Sequence, residues 1–357
     1  MTCVDEEWMN FINNRTDEVS IVENVQTDIP TPSAIHISTK TKISYLNQPM
    51  DIKNVFWGIP VMPYATPKEG VIKKQMKQVS LTAEELSENQ ERIVGCEAFV
   101  DEHIITSINN PEGRVKFKDI RKISIGISKK DLLSYRCKKK SAFYNCFVLI
   151  FRLLGSKSGE KEGIYKEFHV KVFNTGKLEM PGVQDEGLFH RALQLLLETL
   201  QPLVSEKLCY KENSIETVLI NSNFKCGFFI NREELYDILR YKYNIQAIYD
   251  PCSYPGIQCK FYYNPDIGIQ TGSQISELNR AVYKNISEVS FMIFRTGSVL
   301  IVGKCEEEVL FVIYEFLKGI LVAEYGKICL RNAVESDTIV KPKNDKMYKR
   351  WIKVSEE

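Results

Sequence analysis

Four histidines and three tryptophans are all that 357 residues contain of each, and the ten cysteines include no CxxC pair. The cysteines are scattered and the histidines are not spaced as ligands, so no metal and no other cofactor is expected. Such cysteines read as reduced, intracellular thiols. No apolar run is long enough to span a bilayer, and the amino terminus "MTCVDEEWMNFINNRTDEVS" is acidic where a signal peptide is basic. Neither a membrane partner nor a secretory leader is therefore expected. A Gly-rich phosphate loop and an HExxH motif are both missing, as is any Ser/His/Asp set that folding would bring together. The adjacent acids Asp185 and Glu186, and Glu306 to Glu308, open predicted helices, where carboxylates are ordinary partners of the helix dipole. Catalysis is not expected.

What the chain does have is charge sorted into blocks. The formal net charge is +1, yet residues 1–32 carry seven acids against Arg15. Residues 81–103 are similarly acidic, and residues 114–140 hold eleven Lys or Arg against Asp119 and Asp131. A basic stretch of that density either tracks phosphates or forms a solvated loop. If the acidic segment competes with DNA for basic surface, its removal tightens duplex binding at low salt.

The chain also repeats itself. "VFNTGKLEMPG" (172–182) and "IFRTGSVLIVG" (293–303) share Phe, Thr, Gly and Gly at a constant offset of 121. Strand-like runs and a long amphipathic helix surround both copies. "NCFVLIFRLL", "EFHVKVFN" and "KLEMPG" precede a helix over "QDEGLFHRALQLLLETLQPLV", and "EVSFMIF" and "SVLIVG" precede one over "EEEVLFVIYEFLKGILVAEY". Each half opens with strands ("AIHISTKTKISYL"; "ETVLINSNFKCGFFI", read as a strand pair) and a short helix. In "NREELYDILRYK", Asn231 and Glu234 have capping-box spacing. Antiparallel hairpins followed by long helices imply an α+β fold with helices on one sheet face.

The period-2 pattern places Phe291, Ile293, Val299 and Ile301 on one face and Met292, Phe294, Leu300 and Val302 on the other. Only one apolar face can meet the helix, so the other needs a partner. The expected division is an acidic tail (1–33), a first repeat (34–209) and a second repeat (210–327) with a loop insertion near 263–288. A mostly basic tail (328–357) follows. Residues 64–142 match nothing in the second half and read as an insertion outside the repeat.

The doubled hairpin, the helix after each copy and "YPGIQCKF" ahead of the second resemble the TATA-box-binding protein (TBP) family, most closely its divergent members in large DNA viruses. The resemblance covers about 34–62, 143–205 and 213–326. It implies a pseudo-twofold saddle, a curved antiparallel sheet with two long helices on the convex face. It also implies a viral transcription initiation factor that binds double-stranded, A/T-rich DNA in the minor groove and bends it with aromatic wedges. Phe173, Phe294 and Tyr254 match wedge positions, and Phe143 or Phe147 supplies the fourth. Lys177 and Lys260 match phosphate-contacting cations. Met292, Leu300 and Val302 share the groove face. Thr39, with Asn221 or Asn223, stands where the family reads the middle of its site.

Partners implied are a transcription factor IIB-like protein and RNA polymerase. A host nucleus, a cytoplasmic viral factory and the virion remain open as locations. Departures are Pro181 and Val302 where the family has threonine, Glu179 on the first groove face, and few acids in "YDPCSYPG" beyond Asp250. A protein–protein scaffold that keeps the fold and has lost groove reading is the alternative.

Overall fold

The computed structural model describes residues 29–133, 143–155, 164–274, 276, 282–283 and 285–330. The acidic segment 1–28, the end of the basic block at 134–142, parts of the 263–288 loop and the tail 331–357 lie outside the described residues.

Alternation in the first half becomes β1 (His36–Tyr45), β2 (Gly70–Ser80), β3 (Val100–Asn109), β4 (Phe117–Gly126), β5 (Cys146–Gly155), β6 (Ile164–Phe173) and β7 (Lys177–Val183). The second half forms β8 (Glu216–Lys225), β9 (Gln246–Ile248), β10 (Gly256–Tyr263), β11 (Ser287–Phe294) and β12 (Ser298–Gly303). Helices are α1 (Ile52–Gly58), α2 (Ala83–Val94), α3 (Lys129–Leu133), α4 (Glu186–Leu200), α5 (Arg232–Asp237), α6 (Glu307–Ala323) and α7 (Tyr325–Ile328). All twelve strands join one sheet in the order β3-β4-β2-β5-β6-β7-β1-β8-β12-β11-β10-β9, and every pairing is antiparallel.

From the seam between β1 and β8 the sheet runs outward through β7, β6, β5 and β2 on one side. On the other it runs through β12, β11, β10 and β9. The position of β2 in the first half is thus that of β9 in the second. This differs from the expectation that 64–142 lies outside the sheet. The correspondence is hidden from sequence comparison because β2 has 11 residues and β9 has 3. Among the described elements α2, β3, β4 and α3 lack a counterpart, and the basic stretch over 117–126 is a strand and not a solvated loop. "ETVLINSNFKCGFFI" is also one strand and not two. Gly227 at φ +93 turns the chain away, and the Cys226 N–H donates to the Gly297 carbonyl at 2.9 Å.

Each half has its own core. Phe147, Leu149, Phe151, Val170, Val172 and Leu178 pack under Phe189, Leu193 and Leu196 of α4. Phe291, Ile293, Val299 and Ile301 pack under Leu310, Ile313 and Leu317 of α6. Lys40 pairs in register with Val183 of one core and Ile220 of the other, so both helices lie on the same sheet face. On that face Lys40 and Lys42 reach Glu307 and Glu186 in the first turns of α6 and α4, each at 2.6 Å. The Asp185 side chain caps α4 by accepting from Leu188 N–H at 3.0 Å, and Asn231 caps α5 by accepting from Glu234 N–H at 3.4 Å.

Lys74 of β2 lies on the helix face. Its ammonium donates to the carbonyls of Phe56 (2.8 Å), Trp57 (3.2 Å) and Ile59 (2.7 Å) at the end of α1. Burial pushes its pKa down to about 8 from an ordinary 10.5. Between those values the unfolded chain binds the extra proton, so stability rises with pH through this window. Denaturant midpoints at about pH 7 and about pH 10 should show wild type gaining on Lys74→Met as pH rises. Parallel profiles would mean that the carbonyls hold the proton on Lys74.

Candidate nucleic-acid interface

Residues that alternate with the cores form the opposite face. Thr39, Asn221, Val302, Ser290 and Lys260 stand in one register row across β1, β8, β12, β11 and β10. Asn223, Leu300, Met292 and Gln258 form the next row. Met292, Leu300 and Val302 are half-buried, whereas their neighbours Phe291, Ile293, Val299 and Ile301 are enclosed. At the seam Asn221 Nδ2 donates to Thr39 Oγ1 at 3.2 Å, and Asn223 Nδ2 donates to Ser38 Oγ at 2.6 Å. The middle of the face is polar, with amide and hydroxyl groups suited to the acceptor-rich floor of a minor groove.

An aromatic pair stands at each hairpin corner. Phe143 and Phe173 have ring centroids 6.4 Å apart at 54°, and Tyr254 and Phe294 have theirs 6.0 Å apart at 57°. In both pairs one ring ends the second strand of a hairpin and its mate comes just before the strand paired with it. Phe143 is 59% exposed while Phe147 is 0% exposed and packs against Phe56, so Phe143 is the ring that joins Phe173. Gly256 lets the second pair close. A Cβ there would lie 3.0 Å from Phe294 and 3.2 Å from Tyr254. The Tyr254 hydroxyl reaches the Met292 sulfur at 3.7 Å.

The chain is similar to a "TATA-box-binding protein-like" protein of Acanthamoeba polyphaga mimivirus. The two are 27% identical over 211 residues, covering 54% of this chain and 52% of the relative. The chain thus spans about half the length of the curated relative it matches. Among solved structures, Methanococcus jannaschii TBP aligns with 81% of this chain and 98% of its own at 12% identity and a TM-score of 0.38. No family model matches the chain. The sequence similarity to the TBP-like relative is weak and covers about half of this chain.

The two halves of the face are not equally open. In the first, Lys171 pairs with Glu179 at 2.6 Å, so the carboxylate on this face is neutralised from the neighbouring strand. Further out α3 lies across β2, β5 and β6. Asp131 accepts from Lys73 at 2.7 Å, and the Lys129 N–H donates to Glu167 at 2.7 Å, while Ile150 between them is enclosed. Burial opposes ionisation of Asp131, but the Lys73 and Ser128 hydrogen bonds outweigh it and hold the carboxyl below its ordinary range. Among the described residues no comparable helix covers Ile248 of β9, which is 62% exposed.

Of the two matched cations, Lys177 lies 6.0 Å from the Phe173 ring centre. Lys260 is held by Glu288 at 2.6 Å, and that hydrogen bond raises its pKa. Sequence reasoning missed Gly256 as the seat of the second pair and Tyr144, whose ring sits 3.5 Å from Lys77 Nζ. Tyr144 adjoins Phe143, but only strand pairing brings Lys77 beside it. Among the described residues no group of three or more His, Cys, Asp or Glu is placed to hold a metal ion. No described helix is long and apolar enough to cross a membrane.

Proposed function

We propose that this protein binds duplex DNA in the minor groove and bends it, as a non-catalytic, TBP-like initiation factor of viral transcription. One observation carries the reading: two aromatic pairs of nearly equal geometry stand at equivalent corners of the face that the long helices leave free. Such rings can enter opened base steps, while Thr39 and Asn221 between them donate to groove acceptors. The reading requires the sheet to curve into a saddle along the groove. It places Phe143, Phe173, Tyr254 and Phe294 as wedges, Met292, Leu300 and Val302 against sugars, and Lys177 and Lys260 at phosphates. A transcription factor IIB-like protein and RNA polymerase are the partners it predicts, in the host nucleus or a viral factory. The acidic segment 1–33 and the tail 328–357 flank the two DNA-binding repeats.

The test is duplex binding with bending read by end-to-end energy transfer on A/T-rich and G/C-rich duplexes. Expected are a bend, a preference for A/T-rich steps and an affinity that falls steeply with salt. A protein that binds neither duplex at low salt sinks the proposal. The cover that α3 places on the first half-face favours a second reading, a protein scaffold on the same fold, and that result would move it ahead.

A further inference from the structure

The added strand β4 and its neighbour β2 carry lysines whose setting differs from that of lysines elsewhere on the sheet. Lys40, Lys42, Lys73, Lys171 and Lys260 each hold a carboxylate at 2.6–2.7 Å. Lys77, Lys118 and Lys122 have no carboxylate in ion-pair contact among the described residues. Lys77 and Lys122 are direct cross-strand partners, an arrangement of like charges that destabilises a sheet. Burial, and then the Lys73 charge, push the Lys122 ammonium below the ordinary lysine range against the weaker pull of Asp101 and Asp131. A fold that keeps this repulsion has room for an anion.

The row leads to the aromatic corner. One residue past the Met76–Phe147 pairing, Lys77 adjoins Cys146, whose partner is Phe173. At about 4.8 Å per strand, β4 lies roughly 15 Å outward from the Phe173 wedge, on the order of four base pairs along a duplex. Phe143 faces Phe173 while the next residue, Tyr144, covers Lys77, so one turn links wedge and lysines. The other end of the sheet stops at β9, with Gln246 and the exposed Ile248, and has no such row among the described residues.

We infer that Lys118 and Lys122, flanking the buried Lys77 that Tyr144 covers, form a phosphate-backbone contact that extends the DNA footprint on the first-repeat side only, and so fixes the direction in which the protein sits on a promoter. This rests on the duplex binding proposed above. Charge complementarity favours a polyanion over an apolar partner, and the shared row with the wedge favours the flank of the bound duplex.

The experiment is hydroxyl-radical footprinting and salt-dependent affinity of the full chain and of Lys118→Gln/Lys122→Gln on one asymmetric duplex. Loss of two phosphate contacts should make the log–log salt slope shallower by about 2. Protection should shorten by about four base pairs on one flank and leave the other unchanged. Lys122→Gln alone should hold or raise the thermal midpoint while weakening binding, because it relieves burial of the charge and its repulsion by Lys73. A lowered midpoint with unchanged binding would make the row structural and overturn the inference. An unchanged slope and footprint in a variant that still bends DNA overturns it too, and leaves duplex binding standing. Wild type that binds no duplex overturns both. Should the double variant misfold, Lys118→Gln alone leaves Lys77 beneath Tyr144 and should make the slope shallower by about 1. Loss of an acidic protein partner with intact DNA protection would assign the row to that protein and reject the inference.

Discussion

Phe294→Ala is expected to abolish most of the DNA bend and to weaken duplex binding by about 2–3 kcal/mol, roughly 30- to 150-fold. The ring gains by leaving water and filling an opened base step, and its surroundings decide how much of that gain survives. Around Phe294 the face is apolar, with Met292, Leu300 and Val302 half-buried and available to exclude water from the groove. Its mate Tyr254 stands 6.0 Å away, so alanine also removes the support of the second ring.

Phe173→Ala should cost clearly less. The Phe173 pair has the same geometry, but its half-face carries the Lys171–Glu179 ion pair and is partly covered by α3. A carboxylate brought against groove acceptors keeps a desolvation cost even when paired, which limits how closely that half can approach. Bend angle and affinity of the two variants on one duplex decide the matter. Equal losses would mean that both halves grip alike. A larger loss from Phe173→Ala would make the first repeat the principal contact.

The second large effect concerns stability. Gly297→Ala should destabilise the protein by about 3 kcal/mol or more, against about 1 kcal/mol for Gly182→Ala. Both glycines have left-handed backbones, at φ +74 and +81, so strain alone would make the two changes equivalent. Space separates them. A Cβ at Gly297 would lie 2.2 Å from the Phe228 carbonyl oxygen and 2.7 Å from the Cys226 sulfur, whereas one at Gly182 would meet nothing within 4 Å. Gly176, the counterpart of Gly297, is as tight, with a Cβ 2.4 Å from the Gln48 carbonyl oxygen. Urea midpoints of the three alanine variants provide the check. Gly182→Ala as costly as the other two would show that conformation and not contact governs these turns.

These glycines also explain why the chain repeats its hairpin. Thr175-Gly176 and Thr296-Gly297 recur at one offset because each turn brings a left-handed residue against a carbonyl of the segment that follows the half's first strand. The closing glycines are not equivalent. Gly182 has a positive φ, while a Cβ at Gly303 would meet the Val289 side chain at 3.0 Å. Equal letters at 182 and 303 therefore answer to different constraints, one conformational and one of packing.

The strands of the two repeated hairpins, the long helices, the Asn231 cap and the hairpin turns were readable in the sequence, because periodicity, capping side chains and glycine act within a few residues of themselves. The same holds for the second face: alternation of Phe291 and Ile293 with Met292 and Phe294 already required two apolar surfaces. Tertiary structure decided what lies next to what. It made β2 the counterpart of β9, laid α3 over Ile150, chose Phe143 over Phe147, and left Lys77 opposite Lys122. Each of these depends on pairing between segments tens of residues apart. Register across a sheet is set by which faces must leave water together, and no local stretch of the chain contains that information.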